Sequence, residues 1–197
     1  MTETRKIILT GTHLTPAIEF INQLKTDPEI DWEIYYLGRL FNSSISREPS
    51  IESTIIPKIG IKFYGINCGK FDRRWLPNTI RGLPQIYLGF KQAHRLIKKI
   101  KPHPVVSFGG YVSVPVIIAA ATQKIVSLTH EQTQTLSLAT KINALFCRYV
   151  ALSFPIKTNS DKYLVTGNLL RREIFNSQSK LFENQKFNLR KYPLLFF

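Results

Sequence analysis

The sequence is short of cysteine, of acidic side chains and of long apolar runs, and each shortage closes off a class of protein. Its 197 residues include two cysteines, Cys68 and Cys147. They stand far apart with no CxxC pair and no clustered histidines, so a disulfide framework and a zinc site both lack support, and a reducing cytoplasm suits the chain best. Acidic residues number 13 against 27 lysines and arginines, a formal charge of +14. That balance favours an anionic partner, whether nucleic acid, phosphorylated substrate or acidic lipid surface. No apolar run is long enough to span a bilayer, and the opening MTETRKIILTGTHLTP turns polar too early for a signal peptide. Any membrane contact is therefore expected to be peripheral.

Several catalytic signatures are missing as well. The first loop, TGTHLTP, has a single glycine and matches neither the dinucleotide pattern GxGxxG nor the phosphate loop GxxxxGK[ST]. This weakens a dehydrogenase or ATPase reading. No serine or cysteine nucleophile elbow occurs near the polar motifs, which disfavours acyl-enzyme chemistry.

What is present is the composition of a folded protein, 44% hydrophobic and 20% charged. The length suits one full domain and is short for two. KIILTG reads as a buried strand ending in a glycine turn, and TPAIEFINQLK as a helix with Ala17, Phe20, Ile21 and Leu24 at helical spacing. WEIYYLG and IKFYGI read as further strands, separated by a polar stretch, NSSISREPSIESTIIPK, that looks like a loop. From Pro84 to Lys101, Ile86, Phe90, Ala93, Ile97 and Ile100 share one helical face, with Lys91, Arg95, Lys98 and Lys99 largely on others. Strand PVVSFGG, helix VPVIIAAAT, strand KIVSLTHE, helix TLSLATKINALF and short strands RYVALSF and KYLVTGN follow.

Strands alternating with helices define the α/β class, a Rossmann-like, mostly parallel sheet with helices on both faces. Ligands of such sheets bind at the carboxyl ends of the strands. Gly11 to His13, Gly109 to Tyr111, His130 to Gln132 and Gly167-Asn168 all fall at such ends, so the four motifs are expected to converge on one edge.

Each motif also has a plainer reading. His13 can be an ordinary loop histidine, although a helix N-terminus attracts phosphate without any glycine motif. GGYVS can be a strand-to-helix turn that needs glycine torsions, with Ser113 as the cap. Tyr111 fits that reading less well, because a large side chain beside two glycines at a sheet edge can line a pocket. His130 and Glu131 pair an imidazole with a carboxylate, which suits proton abstraction from a hydroxyl, or a structural hydrogen bond. Between Phe71 and Ile80, Arg73 and Arg74 stand beside Trp75 and Leu76 in an expected loop, a mixture that can dock on anionic headgroups while inserting a few side chains. Aromatic and basic residues also bind single-stranded nucleic acid, but no nucleic-acid fold accompanies them, and that reading ranks last.

Taken together, TGTHLTPA, KPHPVVSFGGYVSVPVIIAA, IVSLTHEQ, LATKI, VALSF and VTGNLLRREI resemble, in order and spacing, the N-terminal half of the MurG family of peptidoglycan N-acetylglucosaminyltransferases. The resemblance runs to about Phe175. It implies one half of a two-domain GT-B fold of glycosyltransferase family 28. The implied reaction transfers N-acetylglucosamine from UDP-N-acetylglucosamine to lipid I, with inversion and with no cofactor or catalytic metal. The product would be lipid II, made at the cytoplasmic face of the bacterial inner membrane. By position, Thr10, Gly11, His13, Asn168 and Arg171 are implied on the donor side. Gly109, Gly110, Tyr111, His130, Glu131 and Gln132 are implied on the acceptor side. Phe71, Arg73, Arg74, Trp75, Leu76 and Ile80 are implied as the membrane contact. His13 and Glu131 both stand as candidates for the catalytic base.

The sequence departs from the family pattern at Leu9 and Thr12, where glycines are expected, at Thr133 in place of the asparagine of HEQN, and at Leu169 in place of the proline of GNPVR. These point to a diverged copy. The final YPLLFF has the apolar character of a buried strand, so residues 176–197 are expected to form a linker and the first strand of a second, donor-binding domain, with residues 1–175 as the first domain. On that expectation the polypeptide alone lacks transferase activity, because both substrates must be held in one cleft. A separate donor-binding chain would complete it. A non-catalytic module that binds a polyprenyl-phosphate sugar or an acidic membrane is the alternative.

Overall fold

A computed structural model describes residues 3–42, 48–68 and 76–170, with backbone alone for 76–83. The elements alternate along the chain: β1 (Glu3–Gly11), α1 (Leu14–Lys25), β2 (Ile30–Gly38), α2 (Ile51–Lys58), β3 (Lys62–Gly65), α3 (Leu76–Ile100), β4 (Pro104–Phe108), α4 (Ser113–Thr122), β5 (Val126–Glu131), α5 (Leu138–Phe146), β6 (Tyr149–Leu152) and β7 (Tyr163–Val165). Seven strands form one sheet in the order β3-β2-β1-β4-β5-β6-β7. Every pairing between these strands is parallel. The chain winds outward from β1 to β3, then returns to the other side of β1 with β4. That reversal makes the carboxyl ends of β1 and β4 the topological switch point of the sheet, the crevice position at which doubly wound sheets take ligands.

Side chains of successive strand residues point to opposite faces, and the apolar runs of the sequence supply both faces at once. Ile7, Leu9, Ile34, Tyr36, Val106 and Phe108 pack with Ala17 and Ile21 of α1 and Ile56 of α2. Their neighbours Ile8, Tyr35, Leu37 and Val105 pack on the other face with Ala93 and Ile97 of α3 and with Val116 and Ile117 of α4. The amphipathic reading of α3 agrees with this burial, since Lys91, Arg95, Lys98 and Lys99 are exposed.

The structure departs from the sequence reading in three local places. The polar stretch expected to be a loop contains α2, capped by Ser50, whose hydroxyl accepts from the Ser53 amide. Pro57 disguises this helix by closing it from inside. Helix α3 begins at Leu76 rather than Pro84, so Leu76 and Ile80 belong to a helix and not to a loop. Ser113 is the first residue of α4 and makes no cap: its hydroxyl turns back to the Gly110 carbonyl. Phe71, Arg73, Arg74, Trp75, Arg171 and the expected second-domain segment 176–197 lie outside the described residues.

Candidate functional site at the β1/β4 crevice

The site begins where β1 and β4 end together. Gly11 closes β1 with φ 137°, and the Tyr36 hydroxyl donates to its carbonyl at 3.0 Å. The Thr12 amide then donates across to the Gly109 carbonyl at 3.1 Å, tying the first loop to the turn that follows β4. Gly109 and Gly110 both take left-handed torsions, and a Cβ on Gly110 would stand 2.2 Å from the Thr12 hydroxyl. The imidazole of His13 lies against Gly109, with Nδ1 3.0 Å from where a Cβ would be. The two glycines of GGY therefore give the first loop and the His13 ring the room that they occupy.

Behind the turn lies a buried polar network that the sequence reading did not identify. The Asn143 side-chain amide on α5 donates to the Ser113 hydroxyl at 2.9 Å, and its other N–H is shared between the hydroxyls of Ser107 and Thr129, each at 3.3 Å. Ser107 also accepts from the Gly109 amide at 3.1 Å. Buried amides hold position tightly because an unmade hydrogen bond there is costly. Asn143 thus links α5, β4 and β5 to the glycine turn. A buried asparagine inside a helix whose neighbours are apolar is the signal that marked it.

At the end of β5, His130 and Glu131 are both buried. The His130 ring packs against Phe108, with centroids 6.1 Å apart, and its Nε2 faces the Ser153 hydroxyl at 3.3 Å and the Gly167 carbonyl at 3.5 Å. Burial pushes its pKa down, and the Gly167 carbonyl and Glu131 only partly offset this, so the ring is neutral near pH 7. Glu131 is fully engaged. One carboxylate oxygen accepts from the Thr133 amide and hydroxyl at 3.2 and 2.7 Å, the other from the Ser137 amide and Thr140 hydroxyl at 3.0 and 2.7 Å. Burial alone would raise its pKa, but these donors hold it below the usual carboxylate range. Such a group is a weak proton acceptor and a strong organiser of the loop between β5 and α5. Thr133, at the family's asparagine position, is one of its donors.

Tyr111 is half-buried beside the glycines, and its partner was also missed from the sequence. Arg39, just after β2, donates to the Tyr111 hydroxyl at 3.3 Å and is held by Glu52 of α2, with Nε 2.7 Å from the carboxylate.

The expected convergence of the four motifs is observed in the main. Gly11, His13, Gly109, Gly110, Tyr111, His130 and Glu131 gather at one edge, with Gln132 partly exposed beside them. Thr10 lies behind the crevice instead, fully buried with its hydroxyl unpartnered among the described residues. Gly167 meets His130, whereas Asn168 is exposed and Leu169 turns towards the face covered by α1. A cavity of about 610 Å³ opens along the loop after Glu131, lined by Thr133, Thr135, Ser137 and Lys141 among others.

The fold and the crevice together define a Rossmann-like domain of the GT-B class, with its ligand edge at the β1/β4 switch point. Residues 8–152 match the model of the glycosyltransferase family 28 N-terminal domain, and the chain belongs to that family. Among its relatives is the UDP-N-acetylglucosamine-N-acetylmuramyl-(pentapeptide) pyrophosphoryl-undecaprenol N-acetylglucosamine transferase of Clostridium tetani, 35% identical over 178 residues, covering 87% of this chain and 47% of the relative. The enzyme of the same name from Borreliella burgdorferi is 35% identical over 190 residues, covering 92% and 49%. The chain spans about half the length of the curated relatives that it matches. In fold it resembles Acinetobacter baumannii MurG, with a TM-score of 0.67 at 22% identity, covering 83% of this chain and 46% of that one. A UDP-GlcNAc 2-epimerase from Neisseria meningitidis shares the fold with a TM-score of 0.54 at 16% identity.

Proposed function

We propose that this chain is the acceptor-binding half of a peptidoglycan N-acetylglucosaminyltransferase, moving N-acetylglucosamine from UDP-N-acetylglucosamine to the muramoyl hydroxyl of lipid I. The observation that carries the reading is the crevice itself, a family 28 domain with His13 laid over Gly109 and with the GGY and HEQ motifs at the same edge. In this reading His13 accepts the proton of the attacking hydroxyl, because its half-buried ring lies against Gly109 at the switch-point edge. Glu131 acts through the loop that it braces, since its oxygens are occupied by four donors. Gly109, Gly110, Tyr111, His130 and Gln132 form the acceptor wall. The Gly11 end of β1 and Asn168 are assigned to the donor side, as is Arg171 by its position in the sequence, where an arginine fork would suit phosphate oxygens.

The donor nucleotide is held mainly by a second domain, either elsewhere in the same protein or in a separate donor-binding chain. Contact with an anionic membrane, at the cytoplasmic face of the bacterial inner membrane, goes through residues 71–80 and continues along α3. The exposed side of α3 supports this, with Tyr87 and Leu88 beside Lys91, Arg95, Lys98 and Lys99. Among the described residues, no helix is long and apolar enough to cross a membrane.

The test combines this chain with a separately expressed C-terminal half of the Clostridium tetani relative, UDP-N-acetylglucosamine labelled in the sugar, and a soluble short-prenyl lipid I analogue. Labelled disaccharide product that requires the chain and disappears with His13→Ala supports the reading. Failure of the chain to bind the lipid I analogue overturns it.

A further inference from the structure

Arg39 from the loop after β2, Glu52 from α2 and Tyr111 from the turn after β4 meet in one cluster. Glu52 lies in the first turn of α2 and is 1% exposed, so its carboxylate requires a partner. Arg39 supplies a two-pronged one, with Nε 2.7 Å from one oxygen and an end nitrogen 3.3 Å from the other. Its remaining end nitrogen donates to the Tyr111 hydroxyl at 3.3 Å, and the guanidinium carbon stands 5.6 Å from the centre of the tyrosine ring. Nothing in the composition or in the crevice motifs singles out this arginine.

The consequence concerns the phenol proton. A phenol oxygen that accepts from a guanidinium has its own O–H left to donate elsewhere. Among the described residues the phenol accepts from Arg39 and donates to no group. Burial raises the Tyr111 pKa, with Arg39 opposing, so the proton stays on near pH 7. We propose that Arg39, fixed by Glu52, is a positioning residue of the acceptor site, which holds the Tyr111 phenol as a hydrogen-bond donor towards a phosphate or sugar oxygen of a prenyl-diphosphate-linked acceptor. This rests on the reading of Tyr111 as part of the acceptor wall. Arg39 need not touch the ligand, and it acts by choosing the direction in which Tyr111 donates.

The experiment is calorimetric titration of the full chain with a soluble short-prenyl-diphosphate-linked N-acetylmuramoyl peptide. Arg39→Gln alone leaves the Glu52 charge buried without its partner, so the informative variants are the double Arg39→Gln/Glu52→Gln and Arg39→Lys, which keeps the charge but not the fork. Tyr111→Phe and the double variant should each weaken binding about tenfold, and the triple variant should lose no more than either. Wild-type affinity in the double variant and Arg39→Lys, or a product of losses in the triple, overturns the proposal. Absence of binding by the wild type sinks the acceptor reading and this ligand with it. A 13Cζ-tyrosine spectrum separates the two failures: the Tyr111 resonance should move in the double variant, and an unmoved resonance refutes control of the phenol by Arg39 irrespective of ligand.

Discussion

Replacing Gly11 by alanine should be far more damaging than replacing Gly60, and the difference measures how tightly the first loop is locked onto β4. Both glycines have positive φ, 137° and 81°. At Gly60, after α2, an added Cβ meets nothing within 4 Å. The left-handed torsion alone costs a non-glycine residue about 1–2 kcal/mol, of which about 0.4–1 kcal/mol is returned by the stiffer unfolded chain. At Gly11 the same Cβ would stand 2.8 Å from the Phe108 carbonyl carbon and 2.9 Å from the Gly109 oxygen. These are backbone atoms of the neighbouring strand and turn, with no rotamer to move aside. A torsion almost confined to glycine costs about 1–3 kcal/mol, and overpacking a rigid neighbour about 1–3 kcal/mol more. The sum, less the same return from the stiffer unfolded chain, is about 1–5.6 kcal/mol, which at a urea slope of about 2 kcal/mol per M lowers the unfolding midpoint by about 0.5–2.8 M. Gly60→Ala should move it by no more than about 0.8 M. Equal midpoints for the two variants, measured by circular dichroism at matched slopes, would refute the close contact between β1 and β4 from which the whole site is built.

Other outcomes follow from the buried polar groups. Glu131→Gln should cost about 2–4 kcal/mol near neutral pH, because an amide offers its donors one acceptor fewer and no charge. Since folding depresses the Glu131 pKa, that contribution is complete above the ordinary carboxylate range and is lost as pH falls through the folded value; the gap between wild type and variant in urea unfolding should therefore shrink below about pH 4.3. His130 has the same sign of shift: its neutral form is favoured by the fold, so stability should decline as pH drops below the unfolded value of about 6.5, and His130→Gln should flatten that decline in a melting series. Asn143→Ala should destabilise the domain by about 2–3 kcal/mol and speed hydrogen exchange at the Gly109 amide, whose acceptor Ser107 it helps to fix. Exchange at Gly109 no faster than in the wild type would detach the network from the turn.

The sheet was legible because its strands are apolar on both faces. Runs such as KIILT and VVSF can only be buried, and their spacing by helical segments dictates parallel pairing. The carboxyl-end rule then placed His13, Tyr111 and His130 at one edge without any contact being known. What the chain pattern hid was of two kinds. Helix α2 was masked by Pro57 and by a polar lead-in, although the Ser50 cap and the spacing of Ile51, Ile55 and Ile56 are helical. The pairing of Arg39 with Glu52 and Tyr111 joins residues brought together by the tertiary fold, and the grip of Thr133, Ser137 and Thr140 on Glu131 depends on the irregular path of the β5–α5 loop. Periodicity carries no information on such pairs. Glu131 illustrates the consequence: beside a histidine it has the composition of a general base, and only its surroundings make it a brace.

The most direct test of the central claim is an amide chemical-shift map of the 15N-labelled chain on titration with the short-prenyl lipid I analogue. An acceptor-binding crevice at the β1/β4 switch point requires the shifted amides to cluster at Gly11–His13, Gly109–Tyr111 and His130–Gln132, and requires the shifts there to need about tenfold more ligand with Tyr111→Phe and to weaken with His13→Ala. Shifts confined to α3, or to the opposite edge of the sheet around Lys6 and His103, would contradict the account.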